Sequence, residues 1–582
     1  MTIAVDPGTI VTYRPPAVAR RDDLPEADPV TTEVIRHGLN AAAMQMQNVL
    51  RRAAFSPVIY EMIDFCCAIY DRDVRLLAQG MSLPSWLGTI GFCIDSVVKA
   101  VGGPETLREG DVLFSTYGYD IGSHPQDAAV VLPIFYEGEL VGYAAVKAHQ
   151  MDIGAAEFYC TNTTDNIQEG TIFPGVRLYK GGVRDDELWR ILLANSRLPR
   201  ELAGDVSASI ASAEAGARGL VRLLEQHGYT TFLSCVERMF DHGEAVVRRI
   251  FEQIPDGRYD AHGTLDSNGV TDDPIPFDVS IEVAGSDITV DFSQAPDQQA
   301  GPLNSPHPTS VSCARYTMMF LMGAHAREFV NEGHFRSITI KTRPGSMFHA
   351  LPPAPIFMYS WPTRVACDAM HRAMAAAMPE NVTAGSGNDP CGVVCWGTNE
   401  AGEVWATGFD HSVGQGATWD GDGAAPLMVI TNSGIRTTPA EVIEARFPFV
   451  VRRFELAPDS AGAGRYRGGL GLDLHYEALS DSYWTIPFER TKTPPWGLFG
   501  GREGRPNTFR VVHPDGSFEE VGKATRLGVP KGSIAQVETG GGGGYGLPAD
   551  RPREEVLADV REGYLSEEAA RAAYPHAFSD AG

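Results

Sequence analysis

DVLFSTYGYDIGSHPQDAAVVLPIFYEGELVGYAAVKAHQMDIGAAE, residues 111–157, is the stretch that decides how this chain folds. Its centre holds two apolar runs, residues 128–136 and 140–148, joined by Glu-Gly-Glu at 137–139. Two apolar runs separated by a short loop that contains glycine are typical of a β-hairpin. The stretch therefore predicts two long antiparallel strands in the first third of the chain.

The predicted hairpin carries the pattern His-x-x-Asp on both sides, as His124 with Asp127 and as His149 with Asp152. Antiparallel pairing centred on Gly138 places residue 127 opposite residue 149, because these two numbers sum to twice 138. Directly opposed side chains lie about 5 Å apart at Cβ. Asp127 and His149 should therefore meet at the open end of the hairpin, within reach of His124 and Asp152.

Two imidazoles and one or two carboxylates at one point are typical of a site for a divalent transition metal. This donor set suits Mn, Fe or Zn better than Ca. Three protein ligands leave coordination positions open for water or substrate, as catalytic metals require. The alternative is an ordinary group of surface His and Asp residues at a hairpin end, and the pattern alone leaves both interpretations open.

Outward from the hairpin, the sequence predicts an α+β fold. Residues 28–56 and 186–254 have helical spacing of apolar residues, whereas glycine, proline and strand-like runs dominate after residue 257. FDVSIEVAGSDITVDF predicts a second hairpin around Gly285. We expect a helical and hairpin N-terminal half that carries the metal site, and a β-rich C-terminal half that is dense in glycine and proline.

Changes in composition divide the chain into four predicted segments. They are an N-terminal arm at 1–27, a metal-site region at 28–256, a β-rich region at 257–546, and a C-terminal helix and tail at 547–582. Within the third segment, residues 540–546 (GGGGGYG) are predicted to form a flexible glycine loop.

Composition and missing motifs exclude several classes of function. The net charge of −26 over 582 residues argues against nucleic-acid and anionic-membrane partners. No secretory signal and no run of about 20 apolar residues is present, and the nine scattered cysteines suit reduced thiols, so we expect a cytoplasmic protein. GxxxxGK[ST], GxSxG and HExxH are all absent, which disfavours a lone ATPase and a serine hydrolase.

Other candidate residues carry weaker patterns. Glu169 is either a base near the metal or a structural carboxylate at a strand end. Asp64 and residues 195–197 either line the pocket or form an ordinary buried ion pair. His411, among glycines, is expected to be a structural histidine.

The hairpin with its two His-x-x-Asp copies resembles the hydantoinase B/oxoprolinase family. The resemblance extends in order from about residue 28 to 546. Further segments that carry it are DPVTTEVIRHGL (28–39), DFCCAIYDRDVRLLAQG (64–80), NTTDNIQEGTIFPGVRLY (162–179), VDFSQAPDQQAGPLN (290–304) and GGGGYG (541–546).

The resemblance implies a metal-bearing subunit that works with a separate A-type subunit. In such enzymes ATP is held by the A-type subunit, which phosphorylates the small-molecule substrate. The ligands of the acetone carboxylase relatives match His124, Asp127 and His149, and the resemblance places Asp152 as a fourth ligand or as a partner of the ligands. A dimer of heterodimers is the expected assembly, and carboxylase relatives add a small third subunit.

Two activities follow from the resemblance. The first is ATP-dependent hydrolysis of a cyclic amide such as a hydantoin or lactam, with Glu169 and Asp152 as candidate catalytic residues. The alternative is ATP-dependent carboxylation of a ketone. The intact ligand set argues against a third interpretation, a non-catalytic scaffold. Ser123 stands where relatives often have threonine in Gly-Gly-Thr-His, which leaves the substrate open.

Overall fold

The computed structural model describes residues 9–16, 18, 24–323 and 329–579, and these residues form the predicted α+β fold. Their helices are α1 Pro29–Ala53, α2 Pro57–Tyr60, α3 Pro84–Leu87, α4 Ile90–Ala100, α5 Gly118–Ile121, α6 Asp186–Ala194, α7 Pro199–His227, α8 Tyr229–Phe251, α9 His307–Leu321, α10 Ser360–Met374, α11 Ala440–Arg446, α12 Arg553–Arg561 and α13 Glu567–Ala573.

The strands are β1 Val11–Tyr13, β2 Phe65–Asp71, β3 Leu76–Gln79, β4 Val112–Ser115, β5 Asp127–Tyr136, β6 Glu139–His149, β7 Val176–Lys180, β8 Val183–Arg184, β9 Gly257–Leu265, β10 Ile275–Ala284, β11 Asp287–Asp291, β12 Ile338–Thr342, β13 Val393–Thr398, β14 Val404–Phe409, β15 Phe449–Leu456, β16 Leu472–Ala478, β17 Ser482–Pro487, β18 Thr508–Val512, β19 Phe518–Glu520, β20 Lys523–Val529 and β21 Ile534–Glu538. They form four sheets, with the strand orders β3-β2-β6-β5-β4-β7-β8, β1-β12-β11-β10-β9, β14-β13-β17-β20 and β15-β16-β21-β18-β19.

The chain divides into two compact units. The first contains residues up to 156, 163–260 and 278–363, and the second contains 157–162, 261–277 and 364 onward. The four segments predicted from composition do not coincide with these units, because the chain leaves the first unit and returns to it. A change of composition at residue 257 cannot reveal such a return.

In the first unit, α1 packs against strands β2 and β3 of the seven-stranded sheet, whereas α7 packs against β5 and β6. Asp28 caps the N-terminus of α1 by accepting a hydrogen bond from Thr31 N, and Pro29 occupies the first turn. Its buried stripe is Ile35, Leu39, Ala42, Ala43, Met46 and Leu50. Helix α7 packs closely against this stripe because a Cβ at Gly219 would lie 2.4 Å from the Cβ of Ala42. The predicted helices at 28–56 and within 186–254 are therefore confirmed.

The two faces of the central hairpin have different neighbours. Ala128 of β5 belongs to a buried cluster with residues of α6 and α7, and Ala148, opposite it on β6, packs in the cluster that contains α1. Ala129 instead contacts Cys93 of α4 and Ile121 of α5. Because side chains alternate between faces, Asp127, Ala129, Lys147 and His149 share the α4 and α5 side.

The second unit contains two antiparallel sheets around a buried cluster that includes Trp484, Tyr476 and Phe509. Residues 540–544 are buried within it, so the expectation of a flexible glycine loop is wrong. The backbone of Gly542 donates to Gly469 O at 2.8 Å and accepts from Gly462 N at 2.8 Å. A Cβ on Gly542 would lie 1.8 Å from Gln415 O, so glycine is needed for backbones to pack this closely.

Several elements differ from the sequence-based expectations. The β10–β11 hairpin is confirmed, but α9 and α10 interrupt the region where strands were expected to dominate. The C-terminal segment forms two short helices, α12 and α13. In the predicted arm, β1 pairs with β12, whereas residues 1–8, 17 and 19–23 lie outside the described residues. Among the described helices, none combines the length and apolarity of a membrane span.

Candidate metal centre

The β5–β6 hairpin brings Asp127 opposite His149, as its sequence predicts. The turn consists of Glu137 and Gly138, both with positive φ, which places its centre half a residue before Gly138. A register shift between Ile134 and Phe135 restores the predicted alignment at the open end. The extra residue of the β-bulge thus compensates for the tighter turn.

A short helix and a left-handed glycine deliver His124 to the same point. Helix α5 ends at Ile121 and is capped by Gly122, whose φ of 68° and ψ of 37° lie in the left-handed region that favours glycine. A Cβ at this position would also lie 2.9 Å from side-chain atoms of Thr89 and Pro308. The chain then turns tightly, with Asp127 N donating to His124 O at 3.1 Å.

The three side chains form a compact buried cluster. His124 Nε2 and His149 Nδ1 each lie 2.9 Å from Asp127 Oδ1. The exposed fractions are 4 % for His124, 0 % for Asp127 and 7 % for His149. One ligand atom from each residue lies within 4.8 Å of the others, which makes the cluster a candidate metal site.

The donor set and its spacing fit a divalent transition metal. Around a cation with bonds of about 2.1 Å, neighbouring ligand atoms lie about 3.0 Å apart in octahedral and about 3.4 Å apart in tetrahedral geometry. Burial by itself would raise the pKa of the Asp127 carboxyl, but the two imidazoles lower it well below its ordinary value. Burial lowers the pKa of His124. An ionised carboxylate with neutral imidazole is the protonation state that a metal requires.

A wall of aromatic side chains closes one side of the cluster. The rings of Phe357 and Tyr359 lie 5.2 and 5.3 Å from the His124 ring, centroid to centroid. Tyr359 Oη donates to Asp127 Oδ2 at 2.9 Å, and Trp86 Nε1 donates to Tyr359 Oη. Sequence reasoning missed these residues because Tyr359 lies 232 positions from Asp127.

Comparison with known proteins assigns the chain to a family. A sequence profile described as Hydantoinase B/oxoprolinase matches residues 28–548. The chain belongs to the hydantoinase B/oxoprolinase family. The resemblance inferred from its motifs is therefore confirmed.

Relatives in this family and solved structures match over nearly the whole chain. The putative B subunit of a D-/L-hydantoinase from Pseudomonas sp. strain NS671 is 30 % identical, over 96 % of each chain. The crystal structure of the ATP-dependent caprolactamase from Pseudomonas jessenii is similar with a TM-score of 0.87 and 28 % identity, covering 94 % of this chain and 96 % of that chain.

A nucleotide-free acetone carboxylase structure gives a TM-score of 0.84 at 19 % identity, over 94 % of this chain and 79 % of that chain. At this identity the likeness establishes the shared fold alone. The α+β architecture of this hydantoinase B-family chain thus extends to a more distant protein.

A buried lysine lies close to the cluster of His124, Asp127 and His149. Lys147 is 1 % exposed and shares the hairpin face of His149. Its Nζ donates to Ile121 O at 2.9 Å and to Thr89 Oγ1 at 3.2 Å, and lies 5.1 Å from the Trp86 ring centroid. Lys147 therefore ties the segment that leads to His124 to the strand that carries His149.

Glu169 is fully buried and holds the segment that bears the aromatic wall. Its Oε1 accepts from Ile356 N, Phe357 N and Thr163 Oγ1 at 2.8 to 2.9 Å, and Ile356 N also contacts its Oε2 at 3.0 Å. Burial raises its pKa to about 8, although these hydrogen bonds oppose the shift. Its carboxylate thus acts on the backbone next to Tyr359.

Asp152 does not join the cluster of ligand atoms. Both of its oxygens accept from Arg197, with Nη2 to Oδ1 at 2.5 Å and Nε to Oδ2 at 3.0 Å. Gly154 N also donates to Oδ1 at 3.1 Å. Since the guanidinium occupies both oxygens, Asp152 fixes the segment after β6 instead of offering a ligand atom.

The remaining sequence candidates have structural contacts. His411 is fully buried, with Nδ1 2.7 Å from Cys391 O and Nε2 2.8 Å from Tyr476 Oη, which confirms it as a structural histidine. Asp64 contributes its carbonyl, which accepts from His149 N at 3.1 Å. Arg197 is the ion-pair partner of Asp152.

Proposed function

We propose that this chain is the metal-bearing subunit of an ATP-dependent hydrolase that acts on a cyclic amide of the hydantoin or lactam type. The observation that carries the proposal is the buried cluster of His124, Asp127 and His149. Support comes from relatives of nearly equal length, one named as the B subunit of a hydantoinase and one as an ATP-dependent caprolactamase.

In this proposal the three residues hold one divalent transition metal, Mn, Fe or Zn. A bound cation of this kind would polarise a carbonyl and lower the pKa of water at the site. The chain's own residues orient and shield the site. Asp127 supplies the anionic ligand, while Phe357 and Tyr359 cover the His124 ring and exclude bulk water from that side.

Glu169 and Asp152, the candidate catalytic residues, are proposed to act by positioning. Glu169 fixes the backbone at Ile356 and Phe357, and so determines where the aromatic wall stands. Asp152 and Arg197 fix the segment that follows His149. Neither carboxylate needs to exchange a proton with substrate in this scheme.

ATP is proposed to be used by a separate A-type subunit, which phosphorylates the amide oxygen and makes the carbonyl carbon easier to attack. Two relatives are named as one subunit of an enzyme, a hydantoinase in one case and a caprolactamase in the other, which supports a partner chain. We propose a dimer of heterodimers as the assembly. The absence of a GxxxxGK[ST] motif in this sequence is consistent with ATP binding on the partner.

Reconstitution tests the proposal. The purified chain is combined with a candidate A-type subunit, and ATP consumption is measured with hydantoin, caprolactam and 5-oxoproline. We expect substrate-dependent ATP hydrolysis and ring opening only when both subunits and the metal are present. Carboxylation of a ketone with bicarbonate, in place of ring opening, would establish the alternative activity. Ring opening by the isolated chain without ATP would contradict the proposal.

A further inference from the structure

The two oxygens of Asp127 have different surroundings. Oδ1 lies 2.9 Å from both His124 Nε2 and His149 Nδ1, whereas Oδ2 accepts a hydrogen bond from Tyr359 Oη at 2.9 Å. Tyr359 is only 4 % exposed and Asp127 is fully buried, so solvent does not compete for this bond. One oxygen therefore faces the imidazoles while the other is occupied.

The direction of the Tyr359 hydrogen bond is fixed by Trp86. The indole N–H can only donate, and it points at Tyr359 Oη. The single hydroxyl hydrogen of Tyr359 is then left for Asp127 Oδ2. The chain Trp86–Tyr359–Asp127 thus has one consistent arrangement of donors and acceptors.

Both aromatic residues are held in place by further contacts. Ser305 Oγ donates to the backbone oxygen of Tyr359 at 2.6 Å. The ammonium group of Lys147 lies 5.1 Å from the centroid of the Trp86 ring, a favourable cation–π distance. Trp86 itself is 3 % exposed. The donor chain is therefore organised before any cation binds.

We infer that Tyr359 is a positioning residue that restricts Asp127 to single-oxygen coordination, and that Trp86 sets its direction. The inference rests on the proposed function, since it requires a cation at His124, Asp127 and His149. A carboxylate with one available oxygen beside two imidazoles favours small transition ions. Ca²⁺ takes six to eight oxygen ligands and often binds both carboxylate oxygens.

Cobalt binding tests this inference without an activity assay. Co²⁺ is titrated into the purified full chain, and its visible absorption is recorded for wild type, Tyr359→Phe, Trp86→Phe and the double variant. We expect Tyr359→Phe to raise the Kd for Co²⁺ about tenfold, the lower end of effects for partners of metal ligands. Its spectrum should also change, because Oδ2 becomes free to coordinate.

Trp86→Phe should weaken Co²⁺ binding to a smaller extent and should add nothing to Tyr359→Phe, because it acts through the same hydroxyl. Tyr476→Phe is the matched control. Its hydroxyl lies 2.8 Å from His411 Nε2 in the second unit, and its loss should leave Co²⁺ binding unchanged. Thermal unfolding without metal verifies that each variant folds.

The outcomes separate this inference from the proposed metal centre. Wild type that does not bind Co²⁺ would refute the centre itself. Wild type that binds, with the same Kd and spectrum in Tyr359→Phe, would refute the positioning role and leave the centre intact. Additive effects of Trp86→Phe and Tyr359→Phe would refute the role of Trp86. If Tyr359→Phe does not fold, an unchanged Kd in Trp86→Phe decides against the inference.

Discussion

At the scale of single residues, the candidate metal centre depends on a carboxylate whose charge is stabilised by its neighbours. Asp127 is the only anionic member of the cluster, and its three hydrogen-bond partners keep it ionised while fully buried. An isolated ionised carboxylate at such depth would be strongly disfavoured. Each of these partners therefore helps to maintain the negative charge that would bind a cation.

Loss of one imidazole should abolish metal retention. We predict that wild-type protein carries about one divalent transition ion per chain and that His149→Ala carries almost none, because a two-ligand site binds weakly. Elemental analysis after desalting measures this. His411→Gln is the control, since it removes a buried histidine of the second unit and should lower the melting temperature without metal loss. Metal-free wild type that is fully active in the complex would contradict the prediction.

Glu169 should make stability depend on pH. Its pKa of about 8 in the folded chain exceeds the ordinary 4.5, so folding favours the protonated form. The resulting stabilisation is complete below about pH 4.5 and is lost as pH rises to about 8. Glu169→Gln imitates the protonated carboxyl and retains an accepting oxygen, so it should lack this loss.

Melting temperatures of wild type and Glu169→Gln at pH 5 and pH 8 measure the effect. Wild type should lose more stability than the variant between these two values. Glu520→Gln, which alters a half-exposed glutamate of β19, should follow wild type. Parallel pH curves for wild type and Glu169→Gln would show that Glu169 is ionised in the folded chain throughout this range.

At the scale of elements, the sequence predicted the strand pairings that depend on the local alternation of apolar and polar residues. The register of β5 and β6 follows from alternation and loop length, so Asp127 and His149 could be paired without a structure. Phe357, Tyr359 and the carbonyl partners of Lys147 come from segments distant in sequence, and no periodic pattern connects them. The pairing of the two candidate ligands Asp127 and His149 was therefore predictable, whereas the aromatic wall was not.

For the glycine-rich segment at 540–546, local sequence gave a wrong prediction. A run of glycines is typical of a flexible loop, but here missing side chains allow backbones from several segments to hydrogen-bond at close range. Gly543 N donates to Gly385 O at 2.7 Å, and Gly414 N donates to Gly540 O at 2.9 Å. Glycine is common both in flexible loops and where backbones pack closely, and only its contacts with distant segments distinguish the two cases.

Close packing of glycine predicts a large cost for a single methyl group. In Gly542→Ala the new Cβ would lie 1.8 Å from a backbone oxygen, so the surrounding segments must move. We expect destabilisation of about 3 kcal/mol or more, or insoluble protein. Gly528→Ala is the control, because no atom lies within 4 Å of its added Cβ. Equal melting temperatures for the two variants would mean that the glycine segments do not pack this way.

At the scale of the whole molecule, all three candidate ligands, the aromatic wall and Glu169 belong to the first compact unit. The second unit contributes its own core and glycine-rich packing. A carboxylate in the first unit can therefore be removed to test the site while the second unit keeps its own stabilising contacts. Because the candidate site lies within one unit, a variant of that unit can test which reaction step this chain performs and which step its proposed ATP-using partner performs.

Asp127→Ala should uncouple ATP consumption from product formation. If the partner phosphorylates the substrate and this chain completes the reaction, the variant complex still consumes some ATP with substrate present. Product release should fall by several orders of magnitude, because loss of the metal raises the pKa of water at the site towards its bulk value. In wild type, each ATP consumed should correspond to one ring opened. Phosphate release and product are measured in the same reaction.

Asp205→Asn provides the matched control for this experiment. It changes another buried carboxylate of the first unit, one that accepts from the backbone at Phe55 and Ser56 and lies outside the ligand cluster. Its complex should lose stability but keep ATP consumption and product formation coupled. Co-purification with the partner verifies assembly of both variants. If Asp127→Ala loses ATP consumption and product formation equally while still assembled, then the metal centre is needed for phosphorylation itself, and the proposed division between the subunits is wrong.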